Sequence, residues 1–140
     1  MAGELILIVE DNEKNLKLAR DVLHFHGYRT LEATTSEEGI ELARTGHPSL
    51  ILMDIQLPGM DGFEAFRRLR EIPETHRTPV IAVTASAMAQ DRERIQAAGF
   101  DGYHTKPISI KELPQLVRRV LDTNPVRTGP QGKPSRGDVP

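Results

Sequence analysis

A doubly wound α/β domain with an all-parallel sheet is the fold class this sequence predicts, and three observations predict it. Short runs rich in Val, Ile and Leu, at 5–9, 50–53 and 80–83, stay apolar at consecutive positions, the pattern of strands buried on both faces. Segments with helical spacing separate these runs, so that strand and helix alternate along the chain. Polar residues stand where each run stops: Glu10-Asp11, Asp54, Thr84, and Lys106-Pro107 behind 103–105. In an open parallel sheet the ligand crevice lies at the carboxyl ends of the strands, so these residues are expected to meet.

Each element has its own signal. The first strand, 5–9, leads into a helix expected over 13–26, with Leu16, Ala19, Val22 and Leu23 on one stripe and Gly27 as its stop. A second strand follows at 28–32. Thr35 with Glu38 has the form of a capping box, so the second helix is expected to run through Arg44 and end at Gly46. The third strand carries Asp54 at its tip. The turn cluster 57–62 then opens a third helix whose buried stripe is Phe63, Phe66 and Leu69. The fourth strand ends at Thr84. The helix expected over 85–98 is mostly Ala and polar residues, anchored by Met88 and Ile95 and ended by Gly99, so it moves at low cost. A fifth strand is expected near 101–105. Ser109 and Glu112 make a second capping box, ahead of a helix striped by Leu113, Leu116, Val117 and Val120. Pro114 falls in its first turn, where proline is tolerated.

The 140 residues suit one domain, here residues 1–124, followed by a tail at 125–140 in which seven of sixteen residues are Pro or Gly. The tail has only Val126 and Val139 as larger apolar residues and is expected to be disordered. A net charge of −2 with no basic patch argues against general nucleic-acid binding. Without cysteine, disulfides and thiolate metal sites are excluded. The chain enters its first strand with no charged leader or long apolar segment, and no span of about 18 apolar residues occurs, which predicts a cytoplasmic protein with no membrane association.

Glu10, Asp11 and Asp54 would repel one another at one crevice, and a divalent cation relieves that repulsion. Oxygen-only donors, with no His or Cys among them, favour Mg2+. An aspartate beside such an ion can attack phosphorus and form an aspartyl phosphate. Lys106 as a point charge and Thr84 as a movable donor suit the oxygens of that group. The Lys106-Pro107 bond is a candidate for the cis form. The remaining polar and aromatic residues have simpler readings. His24, His26, His47, His76 and His104 do not cluster and are expected at the surface. Phe25, Phe63, Phe66 and Phe100 are read as core, and Arg67, Arg68 and Arg70 as a solvated helix face.

From residue 4 to 122 the chain resembles the receiver domain of two-component response regulators. The resemblance rests on Glu10-Asp11, Asp54, the 57–62 loop, Thr84-Ala85 and Lys106-Pro107, all in the family's order and approximate spacing. It implies a flavodoxin-like (βα)5 sheet of order 2-1-3-4-5, with Asp54 as phosphoacceptor. It also implies Mg2+ held by Asp11, Asp54 and the main-chain carbonyl of Gln56, with Glu10 acting through water. Thr84 and Lys106 then hold the phosphoryl group. Tyr103 takes the place of an aromatic switch that turns inward as Thr84 moves, the alternative being packing on an edge strand. Gln56 and Ser86 flank the water that hydrolyses the acyl phosphate and set its lifetime. Where many members have Asp-Asp, this chain has Glu10-Asp11.

The implied partners are a sensor histidine kinase or histidine phosphotransfer protein and a downstream protein target, with no direct nucleic-acid contact. The signal is expected to leave either through the surface of the fourth helix, fifth strand and fifth helix, which switches to bind a partner, or by relay of the phosphoryl group to a histidine. In this reading the chain is not an enzyme beyond its own phosphorylation and dephosphorylation. A haloacid dehalogenase-like phosphatase shares the strand-end Asp, Thr, Lys and magnesium, but it wants a second acid where Gln56 stands. A flavin or nucleotide carrier wants glycines and donors where 10–13 is acidic. A degenerate receiver acting as a constitutive docking module is a further alternative.

Overall fold

A computed structural model describes residues 3–86 and 88–123; the predicted tail at 125–140 lies outside them. Ten elements alternate: β1 (Leu5–Val9), α1 (Glu13–Phe25), β2 (Arg29–Ala33), α2 (Ser36–Gly46), β3 (Leu50–Asp54), α3 (Gly62–Glu71), β4 (Val80–Thr84), α4 (Ala89–Ala98), β5 (Gly102–Thr105) and α5 (Glu112–Thr123). The strands form one parallel sheet in the order β2-β1-β3-β4-β5, as expected.

The continuous apolar runs have their cause in the two cores that the sheet separates. Because side chains alternate across a strand, Ile6, Ile8, Leu50, Leu52, Ile81 and Val83 face one layer, where Leu23 of α1 and Leu113, Val117 and Val120 of α5 meet them. Leu7, Val9, Ile51, Met53, Val80 and Ala82 face the other, against Ala43 of α2, Phe66 and Leu69 of α3 and Ile95 of α4. Every residue of β3 and β4 is buried. Each fully buried Leu or Ile contributes about 1.5–3 kcal/mol.

The helix starts follow the expected side chains. Thr35 Oγ1 accepts the Glu38 N–H at 3.1 Å and Ser109 Oγ accepts that of Glu112 at 2.9 Å. The Glu38 carboxylate reaches back to the Thr34 N–H, at 3.0 Å, one residue before the expected partner. Asn12 and Asp61 cap α1 and α3 in the same way.

Several expectations are corrected. Pairing in β2 begins at Arg29, opposite Leu5, because the Tyr28 N–H is taken by the Leu23 carbonyl at 3.0 Å. Helix α2 does end at Gly46 as expected, and the residue in left-handed backbone after it is His47, at φ 51°. Gly46 stays helical, and a Cβ there would stand 2.6 Å from Leu31 Cδ1, the mobile end of a side chain. Helix α4 starts at Ala89, and Met88 is 59% exposed, leaving Ile95 as the helix's buried anchor. Phe25 is 86% exposed, since it lies two positions past Leu23 and so about 200° around the helix from it. Arg70 is not solvated like Arg67 and Arg68. Its guanidinium lies 4.5 Å from the Phe66 ring centroid and donates to the Thr78 carbonyl at 2.7 Å.

His104 is also buried, at 6% exposed, because strand alternation turns it to the face opposite Tyr103. Its Nε2 accepts the Ser109 N–H at 3.1 Å, which places the neutral ring's proton on Nδ1. Burial holds the His104 pKa below its ordinary value, opposed by the Glu112 carboxylate. The folded value is therefore the lower one, and the unfolded chain binds the proton more tightly. This group's contribution to stability is complete above about pH 6.5 and is lost as pH falls through the folded value. Urea midpoints should fall on going from neutral to mildly acidic pH. In His104→Val that slope should flatten; equal slopes would contradict the assignment.

Candidate functional site

The sheet register explains why distant residues meet. Glu10 follows β1, and its N–H extends the ladder to the Ala33 carbonyl at 2.9 Å. Asp54 and Thr84 are the last residues of the adjacent strands β3 and β4. Lys106 follows β5, with its N–H bonded to the Thr84 carbonyl at 2.7 Å. All therefore lie at the carboxyl edge of the sheet. The Lys106-Pro107 bond is cis, as anticipated.

Glu10, Asp11 and Asp54 each offer a carboxylate oxygen, and these oxygens lie within 4.8 Å of one another. Glu10 and Asp54 are buried and Asp11 is exposed. Lys106 Nζ stands 2.9 Å from Asp54 Oδ2 and 3.1 Å from Glu10 Oε1. The other Asp54 oxygen, Oδ1, accepts the Gln56 N–H at 2.8 Å, and Glu10 Oε2 accepts the Asn12 N–H at 3.0 Å.

The electrostatics follow from this crowding. Burial raises the Glu10 pKa above the ordinary carboxylate value; the Asn12 N–H opposes that, the Asp54 charge adds to it, and Lys106 opposes it. Burial pulls the Lys106 ammonium down, but hydrogen bonds and charge from Asp54 and Glu10 more than offset this and hold it above its usual value. One ammonium thus faces more carboxylate than it can neutralise. A divalent cation fits the remaining charge. An all-oxygen donor set with one exposed member, leaving room for water, suits magnesium.

Beyond the carboxylates, Thr84 is 1% exposed and its Oγ1 accepts the Ser86 N–H at 3.0 Å. The Gln56 side-chain carbonyl accepts the Ala85 N–H at 2.8 Å, joining the loop after Asp54 to the loop after Thr84. Ser86 Oγ donates a hydrogen bond to Asp91 Oδ2 in the first turn of α4. Tyr103 is partly buried and packs on the core cluster that holds Phe66 and Ile95. Glu10, Asp11, Asp54 and Lys106 thus gather tightly, Thr84 ends the neighbouring strand, Gln56 and Ser86 lie in the adjoining loops, and Tyr103 lies in the packing beside them. Sequence reading missed Asn12 and Asp91. Asn12 was visible as a capping residue before a helix, whereas Ser86 and Asp91 were both assigned to one helix, where such a pair does not face.

The family model described as the response regulator receiver domain matches residues 6–118. The polar-differentiation response regulator DivK of Brucella ovis is 46% identical over 116 residues, which make up 83% of this chain and 94% of that protein. The solved receiver domain of a sensor histidine kinase from Pseudomonas aeruginosa, with a magnesium ion coordinated in its active-site cleft, is similar with a TM-score of 0.79. It is 36% identical and covers 86% of this chain and 99% of that one. A receiver domain protein of Methanospirillum hungatei gives a TM-score of 0.79 at 29% identity, covering 89% of this chain and 98% of its own. Among the described residues, no helix is long and apolar enough to cross a membrane.

Proposed function

The chain belongs to the response regulator receiver family, a signalling family and not one of catalytic enzymes, and from that premise we propose that Asp54 is its phosphoacceptor. The observation that carries this is the placing of Asp54: buried at the end of a central strand, with Lys106 Nζ at 2.9 Å and two further carboxylates beside it.

In this reading a phosphohistidine of a sensor kinase or phosphotransfer protein presents phosphorus to one Asp54 oxygen. An oxygen–phosphorus bond forms and the nitrogen–phosphorus bond breaks, its electron pair returning to the imidazole. Lys106, released from part of its pairing with Asp54, turns its charge to the phosphoryl oxygens, and Thr84 supplies a hydroxyl donor. Asp11, Asp54 and the Gln56 carbonyl would hold magnesium, with Glu10 acting through water. When bound, the ion neutralises the carboxylates and the charge on the transferring group.

The phosphoryl group adds about −2 charge, and the loop after Thr84, which the Gln56 side chain joins to the loop after Asp54, is the element that reads it. As Thr84 moves toward the phosphoryl group, Tyr103 turns further inward, and the surface of α4, β5 and α5 changes for a downstream protein. The weak anchoring of α4, with Ile95 as its buried residue, lowers the cost of that change.

Incubation with acetyl phosphate and magnesium, followed by intact mass, tests the reading. A gain of one phosphoryl group is expected, and EDTA should prevent it. No gain from a folded, magnesium-binding chain would favour a docking module that works without phosphorylation.

A further inference from the structure

Ser86 is held at both ends. Its backbone N–H donates to the buried Thr84 hydroxyl at 3.0 Å, and its side-chain hydroxyl donates to Asp91 Oδ2. Residues 85, 86 and 88 precede α4 without being part of it, and Met88 gives the helix no side-chain cap. Asp91, in the first helical turn, thus reaches back out of the helix to a residue two places beyond Thr84. Ser86 Oγ also lies 3.4 Å from the Met88 N–H, for which it is the acceptor.

We propose that Asp91 is a positioning residue for hydrolysis of the acyl phosphate, acting by fixing the direction of the Ser86 hydroxyl. The inference rests on the reading of Asp54 as phosphoacceptor and of Ser86 as a neighbour of the attacking water. A serine has one proton to donate and two lone pairs. With that proton committed to Asp91, Ser86 Oγ meets a nearby water only as an acceptor. The water then points a proton at Ser86 and keeps its own lone pair free for phosphorus. Its oxygen bonds to phosphorus, and the bond from phosphorus to the Asp54 oxygen breaks with its electron pair returning to the carboxylate. The departing inorganic phosphate keeps both protons of the water. Without Asp91 the hydroxyl rotates freely and donates to the water or to a phosphoryl oxygen, and either contact opposes attack.

A carboxylate in the first turn also favours the positive end of a helix, which by itself would explain Asp91 as a helix stabiliser. The two roles separate by experiment. The chain is loaded with acetyl phosphate and magnesium, desalted, and its decay followed by intact mass. Asp91→Ala should lengthen the acyl phosphate lifetime by about fivefold, the effect of one ordinary hydrogen bond on a rate. Asp91→Asn, whose side-chain carbonyl still accepts from Ser86, should stay near the wild-type rate. In a Ser86→Ala background, Asp91→Ala should change nothing further. Wild-type decay in Asp91→Ala, or equal slowing with and without Ser86, would overturn the inference while leaving the phosphoacceptor reading intact. If Ser86→Ala itself decays at the wild-type rate, the place given to Ser86 beside the water fails. A wild-type chain that takes up no phosphoryl group fails at the earlier step and removes both.

Discussion

Asp54→Asn is expected to reduce phosphoryl uptake from acetyl phosphate to background while leaving the chain folded. The loss is chemical. A carboxamide has no anionic oxygen to attack phosphorus, and no other carboxylate has the same surroundings: Asp11 is exposed, and Glu10 reaches Lys106 but follows an inner strand by one residue. The fold should tolerate the change, because the neutral side chain is nearly isosteric and its carbonyl still accepts the Gln56 N–H. Removing the negative charge also relieves Glu10, whose pKa is held up first by burial and in part by the Asp54 charge. Lys106 retains Glu10 as a partner at 3.1 Å. Intact mass with magnesium should therefore show no added phosphoryl group, and thermal melting should show a midpoint no lower than wild type. Continued uptake by the variant would assign the acceptor elsewhere.

Gly62→Ala is expected to destabilise the chain by about 1–3 kcal/mol, the range for forcing an atom into a packed interior. Gly62 opens α3, and its N–H is bonded to the Ile55 carbonyl at 3.3 Å. A Cβ at this position would lie 2.4 Å from Ile55 Cα, 2.7 Å from its Cγ2 and 2.9 Å from its Cβ. Backbone cannot rotate away as a side-chain end can. Ile55 is also tied by its own N–H to the Val83 carbonyl at 3.0 Å, so displacement is resisted by β4 and transmitted to its neighbour Asp54. Urea unfolding measures the cost, and a change below about 0.5 kcal/mol, the usual size of a neutral surface substitution, would contradict the packing argument. The same loop has an instructive contrast in Gly59. Nothing lies within 4 Å of a Cβ built there, yet its φ is +75°, so Gly59→Ala should cost about 1 kcal/mol through backbone strain alone.

These two glycines show what a linear reading can reach. Both fall in the turn cluster 57–62, and both read there as turn residues. One is needed for its backbone angle and the other for the nearness of Ile55, a distinction that depends on where β3 ends relative to α3. The same limit explains Phe25 and His104. Composition alone favours a phenylalanine inside and a histidine outside, but helical phase carried Phe25 off the stripe of Val22 and Leu23, and strand alternation carried His104 inward. Period would have corrected both, since each lies in an element whose type was correctly inferred.

By itself the sequence determined the order of elements, the two faces buried by each inner strand, the sheet class and the gathering of Glu10, Asp11, Asp54, Thr84 and Lys106 at one edge. Those properties depend on local periodicity and on the common direction of parallel strands, which a chain displays residue by residue. Tertiary structure alone decided the bond from Ala85 to Gln56, the hold of Asp91 on Ser86, the approach of Gly62 to Ile55 and the acceptance of the Ser109 N–H by His104. Each of these joins irregular backbone to a partner in the same or a neighbouring loop or element, and irregular backbone has no period from which a partner can be read. Its path is set by the packed elements at its two ends.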